Sequence, residues 1–247
     1  MISHYFRPST LEETLALLAR PDTRPLGGGT LLNQASPDSY AVVDLQALGL
    51  NKIHKVGEKM EIGATATLQA LLDCVHTPAA PKTALSLEAP LNLRNMGTVA
   101  GALVACDGRS PFAAVMLALD AKLTVVSAQS SVASLGDLLP LRTELLRGKL
   151  ITKIEIPLNV KLAYEQVART PADRAIVCAA LAQWTSGRTR LVVGGWGESP
   201  SVAMDGNEAS GVEAAARNAA HEATDEWGSA EYRSDVAAVL AKRCLEN

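Results

Sequence analysis

Aromatic residues are scarce in this 247-residue chain, where two Phe, four Tyr and three Trp make up 4%. Its core must close by aliphatic packing, for which 48% of apolar residues is ample. Cysteine is nearly as sparse. Cys74, Cys106, Cys178 and Cys244 form no CxxC pair, and His4, His54, His76 and His221 add no ligand spacing, which excludes the usual patterns of a metal or iron–sulfur site made by this chain alone. Basic charge is not in excess either. A net charge of -3 gives no electrostatic case for nucleic acid or an anionic membrane surface. No apolar run approaches a membrane span without a charge or breaker, and Met1 to Pro8 lacks the charged head and apolar stretch of a signal peptide. The expectation is a reduced, cytoplasmic protein without membrane insertion. Its length allows one large domain or two to three small ones, each burying a core without disulfides.

What is present reads as alternating regular elements. Thr10 precedes Leu11 to Arg20, where apolar positions recur at helical spacing, acids fill the first turn and Pro21 stops the run. Tyr40 to Leu45 reads as a buried strand. Ile53 to Val56 and Met60 to Ala64, around Gly57-Glu58-Lys59, have the period-two alternation of a hairpin. Helices are expected from Leu68 to Val75 after Thr67, from Lys82 to Leu91, and from Phe112 to Leu119 behind a Ser110 cap with Pro111 at the first helical position. Lys122 to Ser127 and Leu150 to Pro157 read as strands. Beyond a boundary near 158 to 160, strands are expected at Leu162 to Ala168, Ile176 to Trp184 and Arg190 to Val193, then helices at Gly211 to Thr224 and Ser229 to Leu245. Strands grouped before helices make the class α+β rather than doubly wound.

Two glycine-bearing turns carry the chemistry. In Leu26-Gly27-Gly28-Gly29-Thr30-Leu31-Leu32, consecutive glycines permit positive φ and let backbone N–H groups approach phosphate oxygens, with the Thr30 hydroxyl as a further donor. No lysine follows, so the GK[ST] ending of a triphosphate loop is missing, as is the βαβ context of a dinucleotide fingerprint. The second stretch runs from Asn92 to Leu103 through Arg94-Asn95-Met96-Gly97-Thr98-Val99-Ala100-Gly101-Ala102. Arg94 and Asn95 either fix the loop or contact a ligand, and Asp107-Gly108-Arg109 reads as an exposed turn. No catalytic constellation is present, since Ser110 has no partnered histidine nearby and the acids fall on solvated helix faces. Any chemistry must come from a bound cofactor.

Together the motifs resemble the FAD-binding medium subunit of molybdenum hydroxylases, the xanthine dehydrogenase and carbon monoxide dehydrogenase family. Leu26 to Thr30 is similar to its AGGT turn, and Arg94 to Gly101 to its RNxGTIGG. Leu117 to Ala121, Leu150 to Pro157 and Gly228 to Arg233 match flanking signatures in order. The resemblance implies a two-part, PCMH-like FAD-binding domain, residues 1–53 and 54–158, and a C-terminal α+β domain, 159–247, with a three-stranded antiparallel sheet and helices. It also implies FAD held by Leu26, Gly27, Gly28, Gly29, Thr30, Leu31 and Leu32, by Thr98, Ala100, Gly101 and Ala102, and by Asp107, Ser110 and Ile151. The partners it implies are a molybdopterin-binding large subunit and a 2Fe-2S small subunit in a hetero-oligomer. Electrons would pass from the partner's clusters through FAD to an external acceptor. Leu31, Ala100, Ala102 and Pro111 depart from the family pattern. A flavin-free scaffold subunit of the same family is the alternative, and a free-standing flavin oxidoreductase lacks a nicotinamide motif.

Overall fold

The computed structural model describes residues 1–32 and 37–247. In chain order they form β1 (Ile2–Phe6), α1 (Leu11–Leu18), β2 (Thr23–Leu26), β3 (Tyr40–Asp44), β4 (Ile53–Val56), β5 (Lys59–Gly63) and α2 (Leu68–Asp73). Then follow α3 (Ala79–Glu88), α4 (Leu91–Met96), α5 (Val99–Val104), α6 (Pro111–Ala118), β6 (Lys122–Val126), β7 (Ser130–Ser134), α7 (Leu135–Leu138) and α8 (Arg142–Leu145). The last elements are β8 (Leu150–Pro157), β9 (Val160–Val167), β10 (Val177–Trp184), β11 (Thr189–Gly194), β12 (Ser201–Gly206), α9 (Val212–Ala219) and α10 (Ala230–Glu246).

The chain packs into two compact units. The first comprises Met1–Val75, Pro90–Ala105 and Lys122–Glu155. Its amino-terminal part is a parallel sheet in the order β1-β3-β2, covered by α1, and its remainder is a sheet in the order β4-β5-β8-β6-β7. The Thr10 side chain accepts from Glu13 N–H, as its place before an acidic first turn requires, and Leu17 and Leu18 of α1 pack with Val43, Leu45 and Leu150. The hairpin β4–β5 pairs Ile53 with Ile62 and Val56 with Lys59, matching the alternation in sequence.

The second unit comprises His76–Ala89, Cys106–Ala121 and Ile156–Asn247. Its antiparallel sheet has the order β12-β11-β10-β9. One face carries α9 and α10, whose Ala216, Ala237, Leu240 and Ala241 close on Leu181, Leu191 and Val193. The helix alanines allow a close approach to these larger sheet side chains, as a core poor in aromatic residues needs.

Two expectations change here. The sheet expected to have three strands has four. The additional strand, β12, holds only the short apolar run Val202-Ala203-Met204 between Ser201 and Asp205, too brief to stand out, and it lies at an edge where Val202 is exposed. The compact units are each discontinuous in sequence. Helix α6 is buried along its whole length, without polar positions to mark a face, and together with α3 it folds into the second unit. The stretch expected to be a turn after a helix ending at Leu91 is two short helices, α4 and α5, broken at Gly97 and Thr98.

Candidate functional site

The first turn leaves the parallel sheet at Leu26, whose carbonyl accepts from Leu45 N–H at 3.0 Å, and bends where Gly29 adopts φ +70°. Its far end is tied down by Tyr40, buried at 4% exposure, whose hydroxyl donates to the Leu32 carbonyl at 2.8 Å. The Arg24 guanidinium lies 4.2 Å from the centre of the Tyr40 ring and steadies it. Between these anchors Gly27, Gly28, Gly29 and Thr30 are half-buried and Leu31 is exposed. None of the backbone N–H groups from Gly27 to Leu31 has a protein acceptor among the described residues. Buried or half-buried N–H groups rarely stay unpaired in a folded chain, so such a run is ready to take acceptor oxygens from a ligand or water.

The structure brings the second motif directly against this turn. A Cβ on Gly28 would stand 1.8 Å from the Met96 carbonyl oxygen, and one on Gly27 would stand 2.8 Å from Thr98 Oγ1. Both glycines are therefore demanded by turn-on-turn packing. Arg94 fixes the motif: its Nε donates to Gln69 Oε1 at 2.9 Å, joining α4 to α2. Thr98 caps α5 by accepting from Gly101 N–H at 3.2 Å, and a Cβ on Gly101 would meet the same Oγ1 at 2.7 Å. The other amino-terminal donors of α5 also have partners. Val99 N–H bonds Ala66 O at 2.8 Å, Ala100 N–H bonds Ala64 O at 3.2 Å and Ala102 N–H bonds Thr98 O at 2.8 Å. Ala100 and Ala102 both lie within α5, away from the described positive-φ positions, so neither strains the backbone.

Ile151, buried at 5%, sits in β8 opposite Val125 where the ladder with β6 shifts register. Asp44, at the end of β3, accepts from the Tyr5 hydroxyl and from Gln46 N–H at 2.8 Å, with Arg7 Nε 3.8 Å away. The hydrogen bond to this carboxylate raises the Tyr5 pKa.

Asp107 and Ser110 belong to the second unit. The Asp107-Gly108-Arg109 segment is no loose surface turn: Gly108 N–H donates to Gly197 O at 2.9 Å and its carbonyl accepts from Gly195 N–H at 2.6 Å. A Cβ on Gly108 would stand 1.5 Å from Trp196 O, which explains the glycine. Asp107 accepts from Arg109 N–H at 2.9 Å and pairs with Arg174. Arg109 in turn donates to Ala175 O and Arg174 O, at 2.8 and 2.9 Å, and stacks on Trp227 at 4.5 Å.

Ser110 caps α6 with help from Glu88, an acid 22 residues upstream. Its Oγ accepts from Ala113 N–H at 3.0 Å and donates to Glu88 Oε2 at 2.9 Å, while Phe112 N–H donates to the same oxygen at 3.0 Å. Burial pushes the Glu88 carboxyl pKa up, against these two donors. The folded state thus holds a proton that the unfolded chain releases. That stability is complete below the ordinary value of 4.5 and is lost as pH rises through the raised value. The stability advantage of wild type over Glu88→Gln should therefore shrink as pH rises from about 4 to 7 in denaturant titrations, and an advantage that grows would refute the assignment.

Comparison with known proteins places this geometry. The family of the FAD binding domain in molybdopterin dehydrogenase matches residues 1–159, which include both turns. The chain belongs to that family. It is 30% identical over 249 residues to the uncharacterized protein YgfM of Escherichia coli K12, covering 97% of this chain and 94% of that one. It is 29% identical over 273 residues to the glyceraldehyde dehydrogenase medium chain of Sulfolobus acidocaldarius, covering 98% and 96%. The crystal structure of the cyanide-inactivated Cu,Mo-CO dehydrogenase superposes with a TM-score of 0.84 at 26% identity, over 100% of this chain and 97% of that chain. The α+β class and the family expected from the motifs both stand. The chain is an FAD-binding oxidoreductase subunit of the molybdenum hydroxylase type. No described helix is long and apolar enough to cross a membrane, and no described group of His, Cys, Asp or Glu is arranged to hold a metal ion.

Proposed function

We propose that this chain is the electron-transfer subunit of a cytoplasmic molybdenum hydroxylase complex, partnered by a molybdopterin-binding large subunit and a 2Fe-2S small subunit. The observation that carries the reading is the run of N–H groups from Gly27 to Leu31 without a protein acceptor among the described residues, anchored at both ends and backed by a second turn. Such donors suit the pyrophosphate of FAD, whose negative oxygens accept several N–H bonds at once. Bound there, FAD supplies a ring able to take up electrons singly and pass them on in pairs.

The protein's part is binding and orientation. Gly27, Gly28, Gly29 and Leu31 present main-chain donors, and Thr30 adds a hydroxyl. Thr98 Oγ1 accepts from Gly101 and keeps its own proton to donate. Leu26 and Leu32 hold the ends of the turn, and Ile151 offers an apolar side chain from β8. Asp107 and Ser110 remain part of the proposed set, although both already have polar partners in the second unit. The relatives' description as medium chains supports the expectation of partner subunits.

Heat-denatured, purified protein is expected to release FAD near one equivalent per chain, and colourless protein is expected to take up added FAD. A colourless preparation that binds none would overturn the proposal and leave a flavin-free scaffold. Co-purification from the native source should yield molybdopterin and 2Fe-2S subunits.

A further inference from the structure

We infer that Tyr40 is a positioning residue for FAD, holding the first turn in shape through one hydrogen bond from its hydroxyl to the Leu32 carbonyl. The inference rests on the reading that Gly27 to Leu31 hold the pyrophosphate. Three consecutive glycines let backbone approach a ligand closely, but glycine also loses more conformational freedom on ordering than any other residue. Something outside the run must hold it.

Strand β3 does so from both of its ends. Leu45, directly after the strand, donates its N–H to Leu26 O at 3.0 Å, where the run begins. Tyr40, the first residue of the strand, donates its hydroxyl to Leu32 O at 2.8 Å, where the run ends. Tyr40 and Val42 alternate onto the face of the sheet away from Val43, which packs with Leu17 and Leu18, so the tie lies on the face opposite α1. The Tyr40 ring is 4% exposed, and the Arg24 guanidinium lies 4.2 Å from its centre. Among the described residues Arg24 has no carboxylate partner, so this ring is its one fixed contact.

A buried hydroxyl is unfavourable unless it finds an acceptor, and Leu32 O is the acceptor this one finds. Phenylalanine would fill the same space, so the hydroxyl serves the turn and not the core. A run held at one end only would sample many shapes, and FAD would have to order it on binding. Held at both, its N–H groups are already gathered, and less ordering opposes binding.

Tyr40→Phe separates this role from packing, because the ring, its burial and the Arg24 contact remain. FAD binding to the full chain stripped of cofactor, read by quenching of flavin fluorescence, is expected to weaken about fivefold, the worth of one neutral hydrogen bond. The melting temperature of the apo-protein should change by less than about 3 °C. Proteolysis of the apo-protein within residues 27–32 should be about fivefold faster in the variant, a readout that needs no cofactor. Arg24→Gln should weaken FAD binding about twofold in the wild-type background and leave it unchanged beside Tyr40→Phe, since the ring then holds no part of the turn.

Unaltered affinity or unaltered cleavage in Tyr40→Phe overturns the inference and leaves the first-turn reading standing. A melting temperature that falls by more than about 3 °C along with the affinity overturns it too, because Tyr40 would then support the sheet as a whole. Equal losses from Arg24→Gln in both backgrounds would show Arg24 acting apart from the tyrosine and overturn its share. Wild-type protein that binds no FAD, while Tyr40→Phe still opens the run to protease, instead overturns the reading that the run holds pyrophosphate.

Discussion

Replacing Arg233 with leucine is expected to lower the melting temperature by roughly 10 °C. Arg233 is wholly buried, at 0% exposure. Its Nη1 donates to Ala223 O at 2.7 Å, and its Nη2 donates to Asp225 Oδ1 at 2.6 Å and more weakly to Gly195 O at 3.5 Å. The guanidinium lies 5.7 Å from the centre of the Trp196 ring. One side chain therefore ties the loop before α10 to the glycine turn after β11.

Leucine would leave those carbonyls and Asp225 without their donor. Breaking a buried pair from one side costs about 3 to 5 kcal/mol, but two features of the site argue for the lower figure. Asp225 retains 31% side-chain exposure and can recover water, and Arg233 Nε has no partner among the described residues, so its own burial already carries a penalty. About 3 kcal/mol corresponds to roughly 6 to 12 °C for a chain of this size. Adding Asp225→Asn should return part of the loss, since it removes the stranded charge.

Acid should narrow the gap between wild type and Arg233→Leu. Burial works to raise the Asp225 pKa, but the hydrogen bond from Arg233 and the N–H groups of Trp227 and Gly228 outweigh it and hold the carboxyl below its usual value. The pairing thus contributes above the ordinary aspartate value of 3.8 and fades as pH falls through the depressed one. A melting-temperature change under about 2 °C at neutral pH, or a gap that widens in acid, would contradict this account.

The sequence showed Arg233 only as the end of a signature at the start of a helix, and that helix, from Ala230 behind a Ser229 cap, lies where one was expected. Its role was hidden because its partners at Gly195 and Ala223 are backbone carbonyls, which leave no mark in a sequence. The same holds across the candidate site. The glycines of the first turn were legible as a place of close backbone approach, yet what approaches Gly28 is the Met96 carbonyl. Periodicity and caps located α1, α6, α10 and the β4–β5 hairpin because each meets a clear local rule. The strands β1, β7 and β12 escaped because they are short, largely exposed edge strands whose pairing is decided by neighbours distant in sequence. Helices α4 and α5 span six residues each, too few to show a period.

Asp120, in the Leu117 to Ala121 signature, carries the second large prediction. It takes φ +53°, a conformation that asparagine and aspartate tolerate far better than alanine. From there its Oδ1 pairs with Arg190 Nη1 and its Oδ2 with Arg188 Nη1, each at 3.1 Å. Asp205 grips Arg188 through both carboxylate oxygens, at 2.7 and 2.8 Å, and reaches Arg190 at 3.1 Å. The hydrogen bond from Arg188 to Asp205 leads the effects that raise the Arg188 pKa and keep it charged. Arg190 is only 8% exposed in its side chain, so both acids offset the burial of its guanidinium. Asp120→Ala removes one of the two carboxylates and also forces a methyl-bearing residue into the left-handed region. The first effect costs about 2 kcal/mol and the second about 1 kcal/mol. Asp120→Gly suffers the first without the second. Asp120→Asn keeps the backbone preference and an oxygen acceptor, losing only charge. Urea midpoints should therefore fall in the order Asn, Gly, Ala, with alanine about 3 kcal/mol below wild type. Equal losses for glycine and alanine would show that φ +53° carries no strain. A glycine variant as stable as wild type would show that the paired arginines do not need Asp120.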